Sequence, residues 1–212
     1  MPLSLLPEQS ISDVFSLFTL KFGTEARVTA LSDGRIAVVW TEPVGDKSIH
    51  VRLFDADGAP LGASTIANPP SSHTHGDPQV TAMADGGFLV SWQMSILNGE
   101  DNIYVRAYDA TGTPRSDAIL VSPDGGNVSS TEDDDQYADI IGLAGGGAII
   151  VWEARGPNDT FARVLGADGV TLGDPVQIFT SGEDARILQL ANGDILIADE
   201  PFSGTGTTVR LS

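Results

Sequence analysis

Three carboxylates occupy one recurring place in this 212-residue chain. Glu25, Asp77 and Asp184 each precede an equivalent apolar residue (Val28, Val80 and Ile187) by three positions, and Tyr137 holds the same place before Ile140. Hard oxygen ligands gathered at one spot suit calcium or another cation. Carboxylates brought together also suit proton transfer in hydrolysis. Solvation of an ordinary loop is the plainer role, and what decides between them is whether the surrounding elements make these side chains converge.

Other candidates are weaker. His73-Thr74-His75 with Asp77 could chelate a metal from alternate residues of an extended segment, but NPPSSHTHGDP reads first as a loop rich in Pro and Ser. Glu132-Asp133-Asp134-Asp135 is the densest acidic run, and it lacks the alternating ligands and turn glycine of an EF-hand. Asp55-Ala56-Asp57-Gly58 is explained by turn chemistry. Trp40, Trp92 and Trp152 recur at one position, with Asp199 as the fourth member; inter-sheet packing is the expected role and stacking on sugars the sharper alternative. Arg52, Arg106, Arg163 and Arg210 also recur, and a cross-strand ion pair with Asp117, Asp174 or Asp13 would give the last three a structural role. The chain has no cysteine, no G-x-S-x-G and no glycine-rich phosphate cradle entering a helix, so thiolate, nucleophile-elbow and nucleotide chemistry have no foothold.

The elements that must position these groups are written four times. RVTALSDGRIAVVW, ending at Trp40, returns as QVTAMADGGFLVSW, DIIGLAGGGAIIVW and RILQLANGDILIAD. Each is a pair of apolar runs around Asp33-Gly34, Asp85-Gly86, Gly145-Gly146 or Asn192-Gly193, the residues a type I′ hairpin turn demands. A third strand follows (IHVRLFD, NIYVRAYD, TFARVLG), then a tight turn and a short fourth strand. Four antiparallel strands with short connections make one propeller blade, and the repeat interval brackets the roughly 40–50 residues of such blades. The expected fold is all-β, a four-bladed β-propeller in one domain over 1–212, with 1–11 a loose lead-in and blade repeats starting near 27, 79, 139 and 186. The last unit lacks a fourth strand, and residues 12–22, which align with Ser116-Asp117 and Gly173-Asp174, are expected to supply it. First strands line a propeller's axis, so Glu25, Asp77 and Asp184 should converge near one mouth of the channel.

A formal charge of −18 and a pI near 4.1 disfavour nucleic acid and anionic lipid, which need Lys and Arg against phosphate. No run approaches the roughly 20 apolar residues of a membrane span, and MPLSLLPEQSISD lacks a basic n-region. The expectation is an extracellular or cell-surface protein that travels without a cleaved N-terminal signal, with a cytoplasmic location as the alternative.

The units RVTALSDGRIAVVW with VRLFDADGAPLG, and QVTAMADGGFLVSW with VRAYDATGTPRS, resemble the propeller-forming repeat of large secreted bacterial proteins of the RTX, or hemolysin-type calcium-binding, group and their adhesin-like modules. The resemblance implies export and calcium-rich surroundings, and it supplies no catalytic site. The Gly- and Asp-rich calcium-binding nonapeptide of that group is absent. Three functions are weighed: a non-enzymatic binding module for a protein, glycan or cation; a hydrolase or lyase acting through Glu25, Asp77 and Asp184; and a structural spacer. The first is the expectation carried forward.

Overall fold

A computed structural model describes residues 24–42, 47–95, 101–122, 135–154, 159–201 and 207–211. Among them there are strands and turns and no helix. Sheet one is β1 (Thr24–Ala30), β2 (Ile36–Thr41), β3 (Ile49–Phe54) and β4 (Thr65–Ile66). Sheet two is β5 (Thr74–Ala82), β6 (Phe88–Ser95), β7 (Asp101–Tyr108) and β8 (Ile119–Leu120). Sheet three is β9 (Asp135–Gly142), β10 (Ala148–Ala154), β11 (Asp159–Leu165) and β12 (Val176–Phe179), and sheet four is β13 (Gly182–Gln189), β14 (Ile195–Pro201) and β15 (Thr207–Leu211). Every sheet runs in chain order with antiparallel pairing. The first strands β1, β5, β9 and β13 lie against one another in sequence, so the sheets fan out as propeller-like blades. The strand expected from residues 12–22, the acidic residues 132–134 and the side chain of Arg210 lie outside what is described.

Alternation along each second and third strand sends one row of apolar side chains toward each neighbouring sheet. Ala37, Val39, Ile49 and Val51 of sheet one meet Phe88, Val90 and Trp92 of sheet two. Leu89, Val105 and Ala107 meet Ala148, Ile150 and Trp152 in the same way, and Ile149, Val151 and Ala162 meet Ile187, Ile195 and Ile197. The core is thus a series of inter-sheet layers. The three tryptophans belong to it: each is at most 3% exposed and stacks on its cross-strand partner, Trp40 on His50, Trp92 on Tyr104 and Trp152 on Phe161. Packing is their role, and buried rings offer no platform to a sugar. In sheet four the cross-strand partner of Asp199 is Thr207, so a ring there would have no aromatic to stack on.

The hairpin turns correct an expectation. In each, a type I turn precedes a left-handed glycine: Gly34 N–H donates to Leu31, and Gly86, Gly146 and Gly193 repeat this with φ from 87° to 95°, Gly147 following with φ of 79° in the third. Asp33, Asp85 and Asn192 keep negative φ, so these are three-residue loops with a glycine bulge, not type I′ turns. The aspartates accept backbone N–H bonds instead, Asp33 from Arg35 and Asp85 from Gly87.

The recurring arginines are also corrected. No described carboxylate pairs with Arg52, Arg106 or Arg163. Arg106 Nε donates to the Ser116 carbonyl (3.0 Å) and Nη1 reaches back to the Ala67 carbonyl of sheet one (3.0 Å). Arg163 does the same to Gly173 and to Val121 of sheet two, both at 2.6 Å, and Arg52 Nε donates to Gly62. The fourth strands are two to four residues long and leave carbonyls without ladder partners, which a planar multi-donor fork satisfies across two sheets at once. Arg106→Met should therefore cost about 1.5–3 kcal/mol in urea unfolding, while an unchanged midpoint would show that water replaces the staple freely.

Candidate functional site

The recurring carboxylates lie inside strands, not in loops ahead of them. In each first strand the ladder to the second strand skips: between Thr24 and Arg27, between Gly76 and Gln79, between Gln136 and Asp139, and between Glu183 and Arg186. Two residues there oppose one. Glu25-Ala26 face Trp40, Asp77-Pro78 face Trp92, Tyr137-Ala138 face Trp152 and Asp184-Ala185 face Asp199. These are β-bulges, and the first residue of each is left-handed without being glycine: φ is 60° at Glu25, 46° at Asp77, 50° at Tyr137 and 51° at Asp184. Such a conformation costs a non-glycine residue on the order of 1–3 kcal/mol. Four repetitions of that cost mark the position as one whose side chain is re-aimed on purpose, as bulges do.

Two of these side chains meet. Glu25 Oε2 accepts the Asp77 backbone N–H at 2.9 Å and the Thr41 hydroxyl at 2.9 Å. Adjacent inner strands are thereby tied bulge to bulge. The Asp77 carboxyl is pushed above the usual carboxylate range, first by burial and then by the charge of Glu25; Asp101 adds to the shift and Arg27 opposes it. Asp101 is itself buried and accepts from Gln93 Nε2 at 2.6 Å. A carboxylate held by two donors beside a carboxyl that resists ionisation is an arrangement for proton transfer.

Asp184 occupies the same bulge in sheet four with an exposed side chain and no described bond to Glu25 or Asp77. Its carbonyl accepts from Arg186 Nη1. Among the described residues no group of three or more His, Asp or Glu side chains is gathered to hold a metal ion. His75, expected in a loop, lies in β5 and is buried against the Ser71 hydroxyl at 2.9 Å. Asp199, noticed in the sequence as the residue replacing tryptophan, is buried where Gly182 leaves room, and Thr160 Oγ1 donates to it at 3.4 Å. Sequence reasoning missed Thr41 and Asp101 as members of the site, and it missed the bulges. A small residue follows the aimed one every time (Ala26, Pro78, Ala138, Ala185), which was the available signal, since Pro in a strand interior is confined to edges and bulges.

No known family model matches the sequence, and no curated protein matches it significantly. Solved structures do share the fold. A Hadza microbial sialidase superposes over 89% of this chain with a TM-score of 0.62 at 11% identity, and the chain spans 44% of that protein. An endo-arabinase from Bacteroides thetaiotaomicron aligns over 88% of this chain and 73% of its own (TM-score 0.56, 18% identity). An α-L-arabinofuranosidase from Fusarium graminearum aligns over 85% and 56% (TM-score 0.60, 12% identity). These likenesses establish an all-β, propeller-like architecture. They also correct the expected non-enzymatic binding module: these three solved structures are glycosidases by name, and none is a binding module.

Proposed function

We propose that the chain acts as a hydrolase of glycosidic bonds, with Glu25 and Asp77 as its reacting groups. The observation that carries this reading is the hydrogen bond from the Asp77 amide to Glu25, made between two bulges whose backbone strain only side-chain aim explains. Asp77, kept protonated further toward neutrality than an ordinary carboxyl, donates its proton to the glycosidic oxygen as the bond to the sugar breaks. The Glu25 carboxylate works at the sugar carbon, either as nucleophile or as the base that takes a proton from water; water completes the cleavage in both cases. Thr41 orients Glu25, and Asp101 supplies negative charge that holds the proton on Asp77.

The test is release of reducing ends from a panel of aryl glycosides and polysaccharides, run with calcium and with chelator, by the wild type and by Glu25→Gln and Asp77→Asn. Hydrolysis by the wild type that both variants lose supports the assignment. Undiminished hydrolysis in either variant sinks it.

On the same reading the channel is closed as a ring of four blades, with residues 12–22 adding the fourth strand beside β15. The arginine staples support this. Arg106 and Arg163 each tie their sheet to the preceding one through the Ala67 and Val121 carbonyls, a coupling that a closed ring continues. Deletion of residues 1–20 should then unfold or oligomerise the protein, read as a lower melting temperature or a larger species in size-exclusion chromatography. A monomer with unchanged melting would mean that no such strand closes the ring.

A further inference from the structure

The geometry points to Arg27 as the residue that selects a glycan carrying a carboxylate, such as a uronic acid, over a neutral one; this rests on the glycosidase reading above. Arg27 lies two residues past Glu25 in β1 and pairs with Val39, on the face turned toward sheet two, and its charge is felt at Asp77. Its side chain is exposed, and its described hydrogen bond runs from Nη1 to the neighbouring Ala26 carbonyl at 3.2 Å. Among the described residues no carboxylate sits within ion-pair distance of it. That sets it apart from Arg35 and Arg115, which pair with Asp33 and Asp85, and from the arginines spent on stapling sheets.

The position does not carry one side chain through the repeats, although its two arginines, Arg27 and Arg186, both donate to the preceding residue's carbonyl. Its equivalents are Gln79, Asp139 and Arg186, and Asp139 uses its carboxylate to accept the Ile187 N–H. A guanidinium stands at this point in the first and fourth sheets; Arg186 donates to the Asp184 and Ala185 carbonyls, and only Arg27 lies beside the meeting of Glu25 with Asp77. In a chain of net charge −18, with Glu25, Asp77 and Asp101 together at the site, an acidic sugar is repelled unless a cation receives its carboxylate. A neutral sugar needs none. The exposed fork of Arg27, with N–H groups left beyond its one bond to Ala26, can take a carboxylate in two parallel hydrogen bonds, which a lysine cannot reproduce, so one side chain both admits the acidic sugar and fixes its orientation beside the reacting pair.

The experiment separates binding from turnover. Glu25→Gln, expected to be inactive, is titrated by calorimetry with oligogalacturonides and with the same oligomers after their carboxyls are reduced to alcohols. The acidic form should bind at least about tenfold tighter, and adding Arg27→Ala should remove that difference while leaving the reduced form's affinity unchanged; Arg27→Lys should recover only part of it. In the active enzyme, Arg27→Ala should lower kcat/KM on the acidic substrate about 10–100-fold more than on the reduced one. Equal binding of both forms, binding of neither, or an equal loss on both together with a moved pH limb overturns the inference; the last would assign Arg27 to tuning Asp77. A binding preference that Arg27→Ala abolishes, in a protein that cleaves no glycan, refutes the hydrolase reading and leaves the Arg27 assignment standing.

Discussion

Asp77→Asn is expected to lower kcat by about 10²–10⁴-fold, the usual contribution of a positioned general acid, while the melting temperature holds or rises. Asparagine is nearly isosteric with aspartate and tolerates the left-handed region, so φ of 46° at this residue is no obstacle to folding. What the variant loses is the proton. Because burial and the charge of Glu25 raise the Asp77 carboxyl, activity should fall as pH rises through that raised value, and the limb should be absent from any residual activity of Asp77→Asn. Stability follows the same sign. The folded state binds this proton more tightly than the unfolded chain, so Asp77 favours folding fully only below its unfolded value, near 3.9, and that contribution is lost as pH rises through the folded value. Melting curves across this acidic window should therefore be flatter for Asp77→Asn than for the wild type. Glu25→Gln keeps an acceptor for the Asp77 and Thr41 donors, so it should fold as well and be equally inactive. If instead it retains most of its activity, Glu25 orients its neighbour and does not react.

Gly142→Val is expected to be the most damaging single substitution to the fold. Gly142 ends β9, and a Cβ there would run into the backbone carbonyl of Ala82 at the end of β5. The Gly142 N–H meanwhile donates to Thr81 Oγ1 at 2.9 Å. Inner strands of sheets two and three thus touch backbone to backbone, and no rotamer change can make room. Forcing them apart would open the layer of Leu89, Val105, Ile150 and Trp152. A loss of about 4 kcal/mol or more follows from overpacking against a rigid backbone, a large share of the roughly 5–15 kcal/mol that holds a domain folded. Circular dichroism melting would show it as a collapse of the transition or as failure to recover soluble protein. A melting temperature within a few degrees of the wild type would mean that the inner strands do not approach this closely.

Much of this architecture was legible from periodicity. The four repeats, the strand order within each and the buried face of every second strand follow from alternation and from glycine spacing, because those signals are local. The recurring arginines were visible too, yet their partners were misassigned: the sequence displays aspartates and cannot display the backbone carbonyls flanking the short fourth strands, which are what Arg106 and Arg163 bind. The turns failed in the same manner, for Asp-Gly is compatible with two turn types and only backbone geometry separates them.

What the sequence determined alone was which residues recur and which break the recurrence: Glu25, Asp77 and Asp184 against Tyr137, tryptophan against Asp199, Arg27 and Arg186 against Gln79 and Asp139. Tertiary structure decided which of these act together. A bulge forces non-glycine residues into a left-handed conformation that no local propensity favours, and only the register between two strands creates it. The meeting of Glu25 with the Asp77 amide spans 52 residues of chain and exists because two inner strands lie side by side. Burial at that junction then raised Asp77, an effect of surroundings that no residue carries in its own letter.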